Sequence, residues 1–219
     1  MQASMRKKSR RVHGCGLIRV LCLNFKQGFL PVKIVLASES QFRKRALDLL
    51  GLSYETRPSR IDEKAIRDDN PRELTRKLAE AKAQKIAEEC PDAVIVSGDA
   101  VAAKGDRIFE KPRDKQEAAE FLTEFSGSRF QFITAIAVLN TTTRRMLSTV
   151  ETADIFFRPL LDREIQRYIN RYDVLSYSGA FENDAVLLFA DRIAGSYNLG
   201  TALPPSRLVV MLREQGVQV

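Results

Sequence analysis

The run Ser38-Glu39-Ser40-Gln41-Phe42-Arg43-Lys44-Arg45 places two hydroxyls and three cations where an apolar stretch gives way to a helix-compatible one. A helix N-terminus there offers free N–H groups and the positive end of the dipole. With Ser38 and Arg43 it reads as a cradle for a polyphosphate; the plain alternative is a serine N-cap followed by a solvated basic face. No G-x-x-x-x-G-K-[ST] is present, so the cradle is not a P-loop. Asp99 closes the apolar segment Ala93 to Ser97 after Gly98. A carboxylate at a strand end can hold a divalent metal or activate water, although a turn aspartate after glycine is common. Lys82 lies within Ala79-Glu80-Ala81-Lys82-Ala83, where small neighbours would let a helix pack closely and aim the lysine inward; otherwise it is an ordinary helical partner of Glu80 or Glu88. Lys111, beside Pro112, could reach a phosphate as a point charge. Asp62-Glu63 sits in a polar stretch before Pro71, where plain solvation is the default. None of these decides the matter alone; their order and spacing do.

Other residue types exclude a good deal. The single histidine is His13. From residue 31 onward there is no Ser-His-Asp or Cys-His catalysis, no histidine-ligated zinc and no histidine base. Any chemistry must run on carboxylates, lysines and arginines, with or without a hard metal ion. Carboxylate ligation favours Mg²⁺ or Mn²⁺ over zinc. Cys15, Cys22 and Cys90 form no C-x-x-C pair, and their odd number argues against a disulfide framework. A reducing, cytoplasmic compartment is therefore expected.

The net charge of +7 is local. Residues 1–30 carry seven lysines and arginines and no acid, so residues 31–219 are formally neutral. The basic stretch reads as a disordered N-terminal extension. It is a weak secretory signal, because Arg19 interrupts its apolar part. No apolar run approaches the roughly 18 residues of a membrane helix, so no membrane association is expected. The neutral remainder makes nucleic acid an unexpected partner.

Periodicity supplies the elements that must position these side chains. Val32 to Ala37 reads as a buried strand, followed by a helix capped by Ser38 and running to about Leu50. Leu52 to Arg57 reads as a strand and Pro58 to Asn70 as a loop. Pro71 opens a helix that Pro91 stops. Ala93 to Ser97 is a strand, and a short hairpin turns at Lys104-Gly105-Asp106. Asp114 starts a helix that Ser126-Gly127 breaks. Phe130 to Leu139 and Met146 to Phe157 read as long strands, Leu161 to Tyr172 as a helix, Val186 to Ala190 as a strand, and Pro204 to Glu214 as a closing helix. The alternation predicts one α/β domain over 31–219 with a mixed sheet.

Taken in order, the segments resemble the Maf family of nucleotide pyrophosphatases, whose fold is related to that of the inosine triphosphatases. The family's L-A-S-x-S-P-x-R matches Leu36 to Arg43, its D-E matches Asp62-Glu63, and its L-A-x-x-K-A matches Leu78 to Ala83. The strand-end aspartate is Asp99 and K-P is Lys111-Pro112. E-A and S-G follow at Glu117-Ala118 and Ser126-Gly127. G-A-[YF] matches Gly179-Ala180-Phe181, and G-x-Y…L-P matches Gly195-Ser196-Tyr197 and Leu203-Pro204. The match is collinear over about residues 32 to 215.

The resemblance implies an elongated, twisted mixed β-sheet flanked by helices around a central cleft, and a homodimer. It implies metal-dependent hydrolysis of a nucleoside triphosphate to the monophosphate and diphosphate. In these roles Asp99 would position or deprotonate water and touch the metal, and Glu63 would help hold the metal. Ser38, Arg43, Lys82 and Lys111 would neutralise the triphosphate. Departures cluster around the implied base pocket: Gln41 replaces proline, Ala100 replaces a polar residue, and Asp184 and Ala185 stand where the family has Gln or Glu and glycine. One family branch has two arginines in S-P-R-R and prefers dTTP and UTP. Another has an aromatic at the first of these positions and an acid after G-A-[YF], and is associated with 7-methyl-GTP. Phe42 and Asp184 resemble the second branch, and Phe130 replaces a histidine common in the first. An aromatic face or a carboxylate favours a cationic methylated guanine. Two alternatives stay open: a dTTP/UTP pyrophosphatase, and a non-catalytic nucleic-acid-binding or division-regulating protein on the same scaffold.

Overall fold

A computed structural model describes residues 32–196 and 198–219. The basic extension, with His13, Cys15 and Cys22, and also Tyr197, lie outside the described residues. Seven strands form one mixed sheet: β1 (Lys33–Leu36), β2 (Glu55–Thr56), β3 (Ala93–Lys104), β4 (Arg107–Phe109), β5 (Arg129–Asn140), β6 (Arg145–Phe157) and β7 (Ala190–Gly195). Among the described residues five α-helices flank it: α1 (Gln41–Leu49), α2 (Pro71–Ala87), α3 (Lys115–Phe125), α4 (Asp162–Arg171) and α5 (Pro205–Glu214). The order is β2-β1-β3-β5-β6-β7, with β4 hairpinned onto β3. β1 runs parallel to β2 and β3; every other pairing is antiparallel. The expected mixed α/β architecture is the one observed.

The pairing of β3 creates the opening that matters. On one side β3 pairs continuously with β5 from Val94 to Ala103. On the other it pairs with β1 only through Ala93 to Val96, then with β4 from Ala102 to Lys104. Among the described residues, Ser97 to Val101 therefore have no strand beside them on that side, and Asp99 is the middle residue of the gap. The expected strand end at Ser97 is thus a change of neighbour inside a 12-residue strand.

Strand alternation sorts the side chains to two faces. Val94 and Val96 pack with Ala46 and Leu47 of α1 and Leu208 and Leu212 of α5. Further along the same face, Ala102 packs with Phe109, Phe125, Phe130 and Phe181 beneath α3 and α4. The small residues Gly98 and Ala100 lie where these two cores part. Ile95 faces the other way, against Ala79, Ala83 and Ile86 of α2, and the Ser97 hydroxyl donates to the Ala79 carbonyl at 2.6 Å.

Three local expectations are corrected. The N-cap of α1 is Ser40, not Ser38, and no side chain bonds to its first amides. The second strand shrinks to Glu55–Thr56. Val186 to Ala190 is not a strand: Ala185–Leu188 form a 3₁₀ turn, and the strand follows as β7. The turn buries Ala185, Val186 and Phe189 and leaves Leu187 and Leu188 in solvent. A short apolar run does not by itself distinguish the two conformations.

Candidate active site

α2 supplies the lysine. Asn70 caps it, its side chain accepting from the amides of Arg72 and Glu73, and Pro71 starts it. Its buried stripe is Leu74, Thr75, Leu78, Ala79, Lys82, Ala83 and Ile86. Lys82 thus occupies a core position, with only 6% of its surface exposed. The helical acids have other partners: Arg76 pairs with Glu80 and Lys85 with Glu88. The Lys82 ammonium instead lies 2.6 Å from Asp99 Oδ1 and 2.9 Å from Glu63 Oε1.

Glu63 reaches that point because the stretch between β2 and α2 is not featureless. Glu63–Ala65 form a 3₁₀ turn, and Asp62 caps it by accepting from the Lys64 amide. Asp62 is spent on the turn, while Glu63, the next residue, lines the cleft.

α1 supplies the guanidinium. Arg43 donates to the Ser38 hydroxyl at 3.1 Å, and that hydroxyl also accepts from the Ser40 amide. The Arg43 Nε is buried with no hydrogen-bond partner. Gly98 makes room for it: a Cβ at 98 would lie 2.4 Å from Leu203 Cδ2, 2.8 Å from the Ala135 carbonyl and 3.5 Å from the Arg43 Nε. An arginine with an unspent donor, beside uncapped helix amides, is suited to an anion.

The electrostatics follow from this placement. Burial pushes the Asp99 carboxyl above the ordinary carboxylate range, against the opposing pull of Lys82 and Arg43. Burial works upward on Glu63 too, but Lys82, Lys111 and Arg43 outweigh it and hold that carboxyl below its usual range. Burial lowers the Arg43 guanidinium, opposed by Asp99 and Glu63. One buried carboxylate is thus biased to take up a proton, beside another biased to stay charged.

A cavity of about 870 Å³ contains all of these groups, and Lys111 and Phe42 also line it. Arg60 and Lys64 join them at the wall, neither signalled by any motif. Tyr177, likewise missed, packs against Phe42 with ring centroids 5.9 Å apart and planes 70° apart. The only sequence signal for it was its place just before Gly179-Ala180-Phe181.

Seven of the eight residues expected to act are gathered here; the eighth is not. Asp184 does not line the cavity, and its carboxylate pairs with Arg45 at 3.0 Å. The ion pair holds the acid outside the cavity. The Asp184 side chain is 57% exposed, so the carboxylate meets Arg45 at the surface, with Gly200 beside it. The neighbouring Asn183 faces the cavity instead. Phe130 is also displaced from its expected relevance: it is fully buried, stacked 4.0 Å from Phe125 in the aromatic core.

No cluster of three or more histidine, cysteine, aspartate or glutamate side chains suited to a metal exists among the described residues. Two carboxylates, those of Asp99 and Glu63, do converge on one cationic group. That set fits a hard ion such as Mg²⁺, which takes one or two carboxylates and completes its shell with phosphate oxygens and water.

Fold and site together define an α/β protein with a cleft lined by Arg43, Lys82 and Lys111 around a buried carboxylate. The chain belongs to the Maf-like family, whose model, described as Maf-like protein, matches residues 33–215. A protein of Chromohalobacter salexigens named 7-methyl-GTP pyrophosphatase is 38% identical over 188 residues, covering 84% of this chain and 97% of its own. One of the same name from Aliivibrio fischeri is 31% identical over 189 residues, covering 85% and 98%. Among solved structures, a HAM1 protein from Coxiella burnetii aligns over 84% of this chain and 99% of its own, at 14% identity and a TM-score of 0.45. No helix among the described residues is long and apolar enough to cross a membrane.

Proposed function

We propose that this protein is a nucleoside triphosphate pyrophosphatase. It cleaves the anhydride between the α- and β-phosphates to release the monophosphate and diphosphate, with 7-methyl-GTP as preferred substrate. The observation that carries the reading is Asp99: a buried carboxylate of raised proton affinity, at the gap where β3 passes from β1 to β4, paired with Lys82 and within the field of Arg43. The names of relatives covering nearly their whole length support the same class.

The chain's own groups divide the work. Asp99 accepts a proton from the attacking water, a task for which a raised carboxyl is better matched to neutral pH than an ordinary one. Arg43, Ser38 and the free amides of α1 hold phosphate oxygens and fix the line of attack. Lys82 and Lys111 offset the charge that grows on the leaving diphosphate. Positioning and charge stabilisation of this kind supply most of the catalysis in phosphoryl transfer. Asp99 and Glu63 would hold Mg²⁺ or Mn²⁺, which would supply further charge neutralisation of the phosphates. Phe42 and Tyr177 would flank the base.

Diphosphate release from 7-methyl-GTP, GTP, dTTP, UTP, CTP and ITP, with Mg²⁺ and with Mn²⁺, tests the reading. Turnover best with 7-methyl-GTP, and lowered at least about 100-fold in Asp99→Asn, is the expected result. A pyrimidine as best substrate would replace the base assignment. Absence of turnover by folded protein would replace the reaction itself.

A further inference from the structure

One polar side chain at the cleft has no task in the reaction. Asn183 is only 6% exposed, lines the cavity, and leaves its Nδ2 without any hydrogen-bond partner. A buried amide left unpaired costs stability unless something satisfies it. Its backbone is tightly held on both sides. Phe181 before it is wholly buried, and the Glu182 amide donates to the Tyr168 hydroxyl at 2.9 Å. Asp184 after it is tied to Arg45. The same cavity wall carries the Phe42–Tyr177 aromatic pair.

We infer that Asn183, not Asp184, reads the base: its side-chain amide donates to the exocyclic carbonyl oxygen of a 6-oxopurine, while Asp184 is a positioning residue that braces the segment through Arg45. The inference rests on the nucleotide reading above and extends it. An unpaired donor calls for an acceptor, and the 6-oxo group supplies one where a 6-amino group does not. In a 7-methylated guanine the N7 lone pair is blocked, so that carbonyl is the acceptor left on its edge of the base. A site with a dedicated hydrogen-bonding group rejects the analogue that leaves the group unpaired. The Asp184 carboxylate does not line the cavity; it is paired with Arg45 and open to solvent, so it is turned away from the base.

The test separates base reading from hydrolysis. The α,β-methylene analogues of GTP and ATP, which cannot be cleaved at that bond, are titrated calorimetrically into the full-length wild type, Asn183→Ala and Asp184→Asn. Diphosphate release from GTP and ATP is measured alongside. Wild type is expected to favour the 6-oxo analogue by about tenfold or more, and Asn183→Ala to lose most of that ratio, since one hydrogen bond to an otherwise unpaired group is worth about that factor. Asp184→Asn is expected to weaken both analogues alike, the mark of a brace. An unchanged ratio in Asn183→Ala overturns the inference, as does a collapse of the ratio in Asp184→Asn alone. A wild type that prefers the 6-oxo analogue yet hydrolyses no triphosphate would support the base assignment and overturn the proposed reaction.

Discussion

Lys82 Nζ stands 2.6 Å from Asp99 Oδ1, and both side chains are more than nine-tenths buried. The lysine is the larger of the two cationic influences drawing the Asp99 carboxyl downward, while burial drives it up more strongly. The sign of a pH experiment follows. Asp99 must be deprotonated to take a proton from water, so kcat/KM should fall as pH drops through its raised pKa, at a higher pH than an ordinary carboxylate would give. Lys82→Met removes the main opposing charge and should move this acid limb to still higher pH, besides lowering the maximal rate. A limb that stays in place would mean that Asp99 is not the titrating base. Asp99→Asn should lose about 10²- to 10⁴-fold in kcat, the range for removing a general base.

Glu63 is the exposed partner of the same ammonium, with a side chain 57% exposed. Its carboxyl is held below the usual range, so it stays charged through mildly acidic conditions. Chelation with EDTA should abolish turnover and Mg²⁺ or Mn²⁺ should restore it. Glu63→Gln should raise the metal concentration needed for half-maximal rate by about tenfold or more, since a hard cation loses one of two charged ligands. The Mg²⁺ dependence of kcat in both proteins decides the point. An identical dependence would confine Glu63 to positioning Lys82.

Gly98 is demanded by contact rather than by backbone conformation. A methyl at 98 would enter the space of Leu203 Cδ2 at 2.4 Å and of the Ala135 carbonyl at 2.8 Å. The leucine can shift, but the carbonyl belongs to β5, paired with β3 along ten residues. Gly98→Ala should therefore destabilise the protein by about 1–3 kcal/mol, the usual cost of overpacking. It should also slow turnover by displacing Arg43. Denaturant unfolding reads the first effect, and kcat at saturating substrate reads the second.

Much of this site was legible in the sequence because its residues stand at points of forced geometry. Lys82 falls on the same helical stripe as Leu78 and Ile86, so a close-packed helix had to bury it. Asp99 follows a glycine in an apolar strand, and Arg43 lies one turn into a helix that leaves a buried strand. Hidden from the sequence were matters decided by tertiary neighbours. The break at Ser97 to Val101 exists because β1 leaves β3 before β4 joins it, which no single segment announces. That Asn183 rather than Asp184 lines the cavity goes with the pairing of Asp184 to Arg45, 139 positions away in the chain. The 3₁₀ turn at Ala185–Leu188 replaced a strand because only part of that apolar run finds a core to enter.

Phe42 offers the last test, because its role depends on charge in the base rather than on shape. It meets Tyr177 edge to face in the cavity wall. A base lying against either ring gains cation–π attraction only if it is positively charged, by about 0.5–2 kcal/mol. GTP and 7-methyl-GTP differ by one methyl group and that charge. Phe42→Leu keeps an apolar side chain but removes the ring face. It should lower kcat/KM for 7-methyl-GTP by about 2- to 30-fold relative to GTP, the same energy range expressed as a ratio. The relevant measurement is the ratio of the two substrates in one preparation, which cancels any loss of folded enzyme. An equal fall for both would show that Phe42 merely fills space beside α1. A fall confined to the methylated nucleotide would make the aromatic wall the part of the cleft that recognises its charge.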